Sequence, residues 1–215
     1  MDTASWKRRR WARYIDPGER VPPLSTRNKL QYWLHDEVRP TSAVPEFISA
    51  FYGQPLNVPA YGTDAGGFGE RLGAAFIRDA TMRFFVSSLL PAIAHEHPRY
   101  LRKASGTWQS RTRWATTQTI IDRHDSGRRG FNFSDVVGHL AASILILAYY
   151  PDPSANTGMV FRTWGTSLAG TAGNNLFLEF WPDVVHKVIH RRRWLRHKAH
   201  LEAGLCVSEV CKQSR

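Results

Sequence analysis

An all-α fold, a helical bundle of three long helices with shorter amphipathic ones, is what this sequence predicts. Three observations predict it. Apolar, helix-periodic stretches run over roughly 68–94, 131–150 and 158–185. Capping residues and prolines bracket them. Each stretch also carries ionisable or amide groups: Arg78, Asp79 and Arg83; Asp135 and His139; Arg162, Asn174, Asn175 and Glu179. A bundle that packs its own polar groups, at or beside a membrane, suits that mixture better than a simple anchor.

Residues 1–24 read as a basic N-terminal arm, since Pro17-Gly18 and Pro22-Pro23 interrupt any helix there. Ser25 or Thr26 caps a short helix to about Val38, ended by Pro40, with Leu30, Trp33 and Leu34 on one face as a docking stripe. A second short helix spans about Val44 to Tyr52, with Phe47, Ile48 and Phe51 turned inward. Residues 53–67 form a loop. The first long helix opens near Gly67 and ends near His95, kinked or restarted at Pro91, with Asp79 and Arg83 paired one turn apart.

A basic connector, 96–130, follows and holds one short helix over about 110–121. Asn132 or Ser134 caps the next helix, which stops at Pro151. The last long helix starts near Gly158 and is interrupted at Pro182. Gly165, Ala169 and Gly173 make a ridge of small residues on it, a helix-packing device. The bundle thus covers 25–186, and 187–215 is a basic C-terminal helix and tail.

The chain has 215 residues, 42% of them hydrophobic, enough for one core. Its mean hydropathy of −0.38 is too polar for a protein built mainly of spanning helices. If the three long helices did span, the basic connector and tail would share one side, in line with the positive-inside rule. Against this, each charge at mid-helix costs about 2.5–3.5 kcal/mol on insertion scales. The net charge is +11, concentrated in 1–13, 99–129 and 187–198 on an otherwise acidic body. Such blocks attract polyanions, either anionic lipid headgroups or nucleic acid. Arg8, Arg9 and Arg10 with Trp6 and Trp11, and Arg191, Arg192 and Arg193 with Trp194, interleave arginine with tryptophan. The expected roles are anionic-surface binding for the arginines and interface anchoring for the tryptophans. Nucleic-acid arms share the pattern.

No reaction motif is present: there is no nucleophile elbow, no phosphate-binding glycine loop and no HExxH. No cofactor is expected. Asp135 and His139, one turn apart, with Glu179, make the candidate metal or catalytic set. Against it stands their ordinary use as caps and interhelical bonds. His197, His200, Cys206 and Cys211 have the ligand types for zinc but not the spacing of a finger. Two cysteines exclude a disulfide scaffold. The region after Lys7 to Arg10 lacks the apolar stretch of a secretion signal, so none is expected.

Three segments carry a resemblance. They are Tyr61-Gly to Leu72-Gly-Ala-Ala; His97-Pro-Arg-Tyr-Leu-Arg with Asp125-Ser-Gly-Arg and Phe131-Asn-Phe-Ser; and Leu140-Ala-Ala to Tyr149-Tyr-Pro with Glu179-Phe-Trp-Pro-Asp. Over roughly 25–185 the chain resembles an uncharacterised bacterial family of helical, envelope-associated proteins. That resemblance implies a class and assigns no activity. Family members begin with a secretion signal, and here this chain departs, as it does in its basic tail. The expectation is a non-enzymatic, membrane-associated accessory component of an envelope structure or membrane complex. Its partners would be an anionic membrane surface and other membrane-protein subunits. A metal-dependent enzyme and a nucleic-acid-binding protein are the alternatives.

Overall fold

The computed structural model describes residues 11–19, 21–151 and 155–213, with side chains to residue 188. The chain is 64% helical with little strand, so its class is all-α. Trp6, Arg8, Arg9 and Arg10, expected at an anionic surface, lie outside the described residues, as do the side chains of Arg191, Arg192, Arg193, Trp194 and the tail His/Cys set.

The first element is not helical. β1 (Tyr14–Ile15) pairs in parallel with β2 (Tyr100–Leu101), placing Tyr14 opposite Tyr100. Ile15 and Leu24 are buried, and Asp16 pairs with Arg102 at 3.0 Å. The described part of the expected arm is therefore packed into the body. Ser25 then caps α1 (Thr26–Glu37), accepting from the Asn28 N–H. A single turn, Pro40–Ser42, leads into α2 (Ala43–Gly53).

α2 faces the opposite way from the sequence expectation, and α1 is divided. On α1 Leu30 and Leu34 of the stripe are exposed, Trp33 packs edge-on against Phe84 at 5.3 Å, and Lys29 and Tyr32 are buried. On α2 the buried face is Glu46, Ala50 and Gly53, and Val44, Phe47, Ile48, Phe51 and Tyr52 are exposed. The physical reason lies in what these helices meet. Gly53 lies so close to the following loop that a Cβ there would sit 2.3 Å from the Val58 carbonyl oxygen and 3.1 Å from Arg71 Cδ. Only the small-residue face fits against that wall.

Asp64 caps α3 (Ala65–Phe84) through the Gly67 N–H. One wide turn, Phe85–Leu89, follows with five-residue hydrogen-bond spacing, and α4 (Leu90–Ala94) starts at Pro91. The expected break at Pro91 is thus a widened turn followed by a new one. Asp79 and Arg83 pair at 2.6 Å. The connector holds β2, α5 (Trp108–Thr117) and a hairpin of β3 (Ile121–Arg123) and β4 (Arg129–Phe131). Asn132 caps α6 (Phe133–Ile146) by accepting from the Asp135 N–H. Gly138 lets α6 approach the wide turn, since a Cβ there would already lie 3.3 Å from Val86 Cγ2.

Pro182 does not interrupt the last helix. α7 runs from Thr157 to Gln213 with Pro182 inside it. A proline removes one backbone bond and crowds the preceding turn. The carbonyl that loses its donor is Leu178; the next one, Glu179, is bonded by Arg102 Nε at 2.9 Å and Arg111 Nη2 at 2.7 Å, which fastens this turn to β2 and α5. Two apolar clusters support the helices. One joins Ala74, Met82, Ala142, Ile146, Tyr150 and Met159. The other joins Tyr100, Ala115 and Leu178. Among the described residues, no helix is long and apolar enough to cross a membrane.

Candidate functional site

The interior is built largely of charge. Arg71, Lys29 and Glu179 stand among the largest fully buried side chains, beside Ile146, Pro91 and Ser143. Charged groups reach such depth when they are paired or fully hydrogen-bonded: Lys29 and Glu179 are ion-paired, and Arg71 is bonded to neutral acceptors. Glu179 accepts from Tyr100 Oη, the Lys103 and Ala104 N–H groups (each 2.8 Å) and Arg111 Nε (2.7 Å). Asp183, one turn on, accepts from Arg102 and from Arg111 Nη1 at 2.6 Å. Burial works to raise the Asp183 pKa, but the two guanidiniums outweigh it and hold that pKa below the ordinary value. This cluster clamps α7 to β2 and α5, which accounts for Glu179 as a structural group.

Lys29 Nζ donates to Asp125 Oδ2 at 2.5 Å and to the Pro91 carbonyl at 2.9 Å. Arg71 organises the loop after α2, donating to the carbonyls of Val58 (3.2 Å), Pro59 (2.9 Å) and Gly62 (3.0 Å) and to the side chains of Gln54 and Asn57. Glu96 caps α6 from outside, accepting from the Phe133 and Ser134 N–H groups at 2.8 Å each. Arg99, Arg102 and Arg111 of the basic connector are buried. Part of that block is internal structure, out of reach of a polyanion.

Between these clusters lies a polar cavity of about 600 Å³. Its walls come from α1 (Tyr32, Asp36), α2 (Glu46), α3 (Arg78, Asp79, Arg83), the segment before β2 (His97, Arg99), the start of α6 (Ser134, Asp135, His139) and the hydroxyl and amide face of α7 (Thr163, Ser167, Asn174). Asp36 is shared by three guanidiniums, Arg13 at 2.7 Å, Arg83 at 3.1 Å and Arg39 at 3.2 Å. Glu46 is 3% exposed, and its Oε2 has no hydrogen-bond partner. Burial, with the Asp79 charge adding to it, pushes its carboxyl up to about 7. Burial does the same to Asp135, also to about 7, against the lowering effect of the Asn132 amide. Tyr32 is raised to about 12 by burial and the Asp36 charge.

His97 is driven down to about 3 by burial and the Arg99 guanidinium. Its Nε2 lies 3.0 Å from Arg99 Nη2, so that nitrogen accepts and the ring is neutral. His139 Nδ1 lies 2.7 Å from the Asp135 carbonyl, which can only accept, so Nδ1 carries the proton. Burial lowers its pKa too. Neither imidazole is hydrogen-bonded to a hydroxyl nucleophile, and the Ser143 hydroxyl donates to the His139 carbonyl instead. The cavity therefore offers donors, acceptors and two carboxyls that change charge near neutrality.

Of the residues singled out from sequence, Asp135 and His139 line this cavity, whereas Glu179 is engaged in the α7 clamp. Among the described residues no cluster of three or more His, Cys, Asp or Glu could hold a metal ion. The Gly165–Ala169–Gly173 ridge is exposed, and a Cβ on Gly165 or Gly173 would meet nothing within 4 Å. Among the described residues nothing packs against these two glycines. Trp11 lies against His35, ring centroids 5.3 Å apart. Arg78, Asp79 and Arg83 also line it, as charges that the sequence places within an apolar stretch. Glu46, Tyr32 and Asp36 carry no signal in the sequence. No family model, curated protein or solved structure matches the chain.

Proposed function

We propose that this is a non-enzymatic, membrane-associated helical protein, an accessory component of a bacterial envelope structure or membrane complex, seated on the surface of an anionic membrane. The observation that carries the reading is the inverted polarity of α2, which buries Glu46 and leaves Phe47, Ile48, Phe51 and Tyr52 exposed by 51%, 63%, 76% and 73%. A stripe of that kind marks an interaction surface, since water does not stabilise it. The interior chemistry supports the same reading, with Arg71, Lys29 and Glu179 inside and Phe161, Phe177, Trp181, Val184 and Val188 exposed along α7.

A helix with one apolar face and a polar opposite face lies in the plane of the interface, which needs no span. Charge complementarity favours lipid as the occupant. The net charge is +11, and Arg8 to Arg10 and Arg191 to Arg193 would add headgroup attraction to the apolar contact. The resemblance to envelope-associated helical proteins points the same way.

Flotation with phosphatidylglycerol-containing vesicles tests the proposal. Burying one exposed phenylalanine is worth about 1.5–3 kcal/mol, so Phe51→Asp should weaken vesicle binding at least tenfold. Equal flotation of the variant would overturn the role of α2. Loss of flotation in the wild type, together with salt-dependent retention on nucleic acid, would replace the proposal with the polyanion alternative.

A further inference from the structure

We propose that the polar cavity binds a small zwitterion, with its anionic group on Arg78 and its ammonium on Glu46. Glu46 and Arg78 share a wall of the cavity and do not bond to each other. Among the described residues Arg78 donates to neutral partners only, Ser49 Oγ at 3.2 Å and Tyr150 Oη at 3.5 Å. A guanidinium has five N–H donors in a planar fork that matches a carboxylate or phosphate. Ser49 belongs to α2, so this contact holds Arg78 beside the helix that presents Glu46. Glu46 Oε2 is a buried carboxyl oxygen without a donor, and leaving such a group unmet is costly.

One ligand satisfies both. An anionic group takes the fork of Arg78, and an ammonium N–H supplies the donor that Oε2 lacks. A purely anionic ligand would leave Oε2 unmet and face the carboxylates of Asp36 and Asp79. A purely cationic one would face Arg13, Arg83 and Arg99. The volume of about 600 Å³ is larger than phosphoethanolamine or an amino acid, and leaves room for whatever the zwitterion is attached to. Two sources share this chemistry, a phosphatidylethanolamine headgroup and a free zwitterion. The proposal stands on the cavity and is independent of whether α2 meets a membrane.

Calorimetric titration of the full chain tests it, with phosphoethanolamine, glycine, inorganic phosphate and ethanolamine as probes. Phosphoethanolamine should bind at least tenfold tighter than phosphate or ethanolamine. Glu46→Gln, which keeps the side-chain shape, should erase that margin while phosphate binding stays. Arg78→Gln should abolish binding of both phosphoethanolamine and phosphate, with circular dichroism confirming the fold. Failure of both phosphoethanolamine and glycine to bind, or an undiminished margin in Glu46→Gln, overturns the proposal. Vesicles then separate the sources. A preference for phosphatidylethanolamine over phosphatidylcholine, whose trimethylated ammonium donates no hydrogen bond, lost in Glu46→Gln, assigns the lipid. Phosphoethanolamine binding without that preference assigns the free zwitterion. Retained flotation of a wild type that binds no zwitterion overturns the cavity proposal alone.

Discussion

Glu46 and Phe47 are adjacent in sequence and opposite in environment: the carboxyl side chain is 3% exposed and the phenyl neighbour 51%. Phe47 makes one edge-on contact, with Phe76 at 5.9 Å, and otherwise faces outward. The account above follows from this inversion, and it makes the following predictions.

Glu46 makes stability depend on pH with a definite sign. Its folded pKa is raised from the ordinary 4.5 to about 7, so the native state holds a proton that the unfolded chain releases. The stabilisation is fully present below about pH 4.5 and is lost as pH rises through about 7. Glu46→Gln carries no such dependence. Thermal melts should show the variant more stable than wild type at pH 8, with the gap closing toward pH 5. A gap that does not change with pH would contradict this placement of the carboxyl.

Glu179 is the anchor of α7. Glu179→Ala takes one of the two carboxylates from Arg111, which keeps Asp183, and leaves the Tyr100 hydroxyl and the Lys103 and Ala104 N–H groups without their acceptor. Breaking a buried pair in this way costs about 3–5 kcal/mol. Urea unfolding should report a loss of that size. Tyr100→Phe, which removes one hydrogen bond, should cost about 1 kcal/mol.

Arg71 holds the loop between α2 and α3. Arg71→Met keeps the apolar stem but removes the donors to the Val58, Pro59 and Gly62 carbonyls. Limited proteolysis should then cut within 54–64 at protease levels that leave the wild type intact. Unchanged resistance would mean that the loop is held by other contacts.

Helix existence and caps were legible in the sequence, and direction of facing was not. Ser25 and Asn132 follow ordinary capping chemistry, and both cap as the sequence indicates. The Phe47, Ile48 and Phe51 stripe on α2 is plain from spacing alone. Which side it faces depends on what the helix packs against, here the loop carbonyl of Val58 and the Arg71 stem beside Gly53, and spacing alone does not show that. The Arg71 clamp was invisible because its acceptors are backbone carbonyls, which every residue possesses. Pro182 misled because the guanidiniums that bond the Glu179 carbonyl come from residues 77 and 68 positions away. Of the cavity, Asp135, His139 and the polar residues of α7 stood out as ionisable or amide groups within apolar stretches. Glu46 and Tyr32 did not, since a single glutamate or tyrosine on a short helix is ordinary.

The basic tail should contribute electrostatically. A basic residue near an anionic surface is worth about 1 kcal/mol, so changing Arg191, Arg192 and Arg193 to Glu should lower affinity for anionic vesicles by roughly a hundredfold or more. The loss should shrink in high salt. Unchanged binding would remove the tail from the account and leave α2 alone.

The most direct measurement is at Phe51. With Cys206 and Cys211 replaced by Ala, Phe51→Cys is labelled with an environment-sensitive fluorophore, and phosphatidylglycerol vesicles are added. The account predicts a blue-shifted emission, quenched by bromine-labelled acyl chains, as the exposed face of α2 enters the interface. Emission that stays at its aqueous wavelength while the protein is bound to the vesicles would contradict the account, because the surface that meets the membrane would then not be α2.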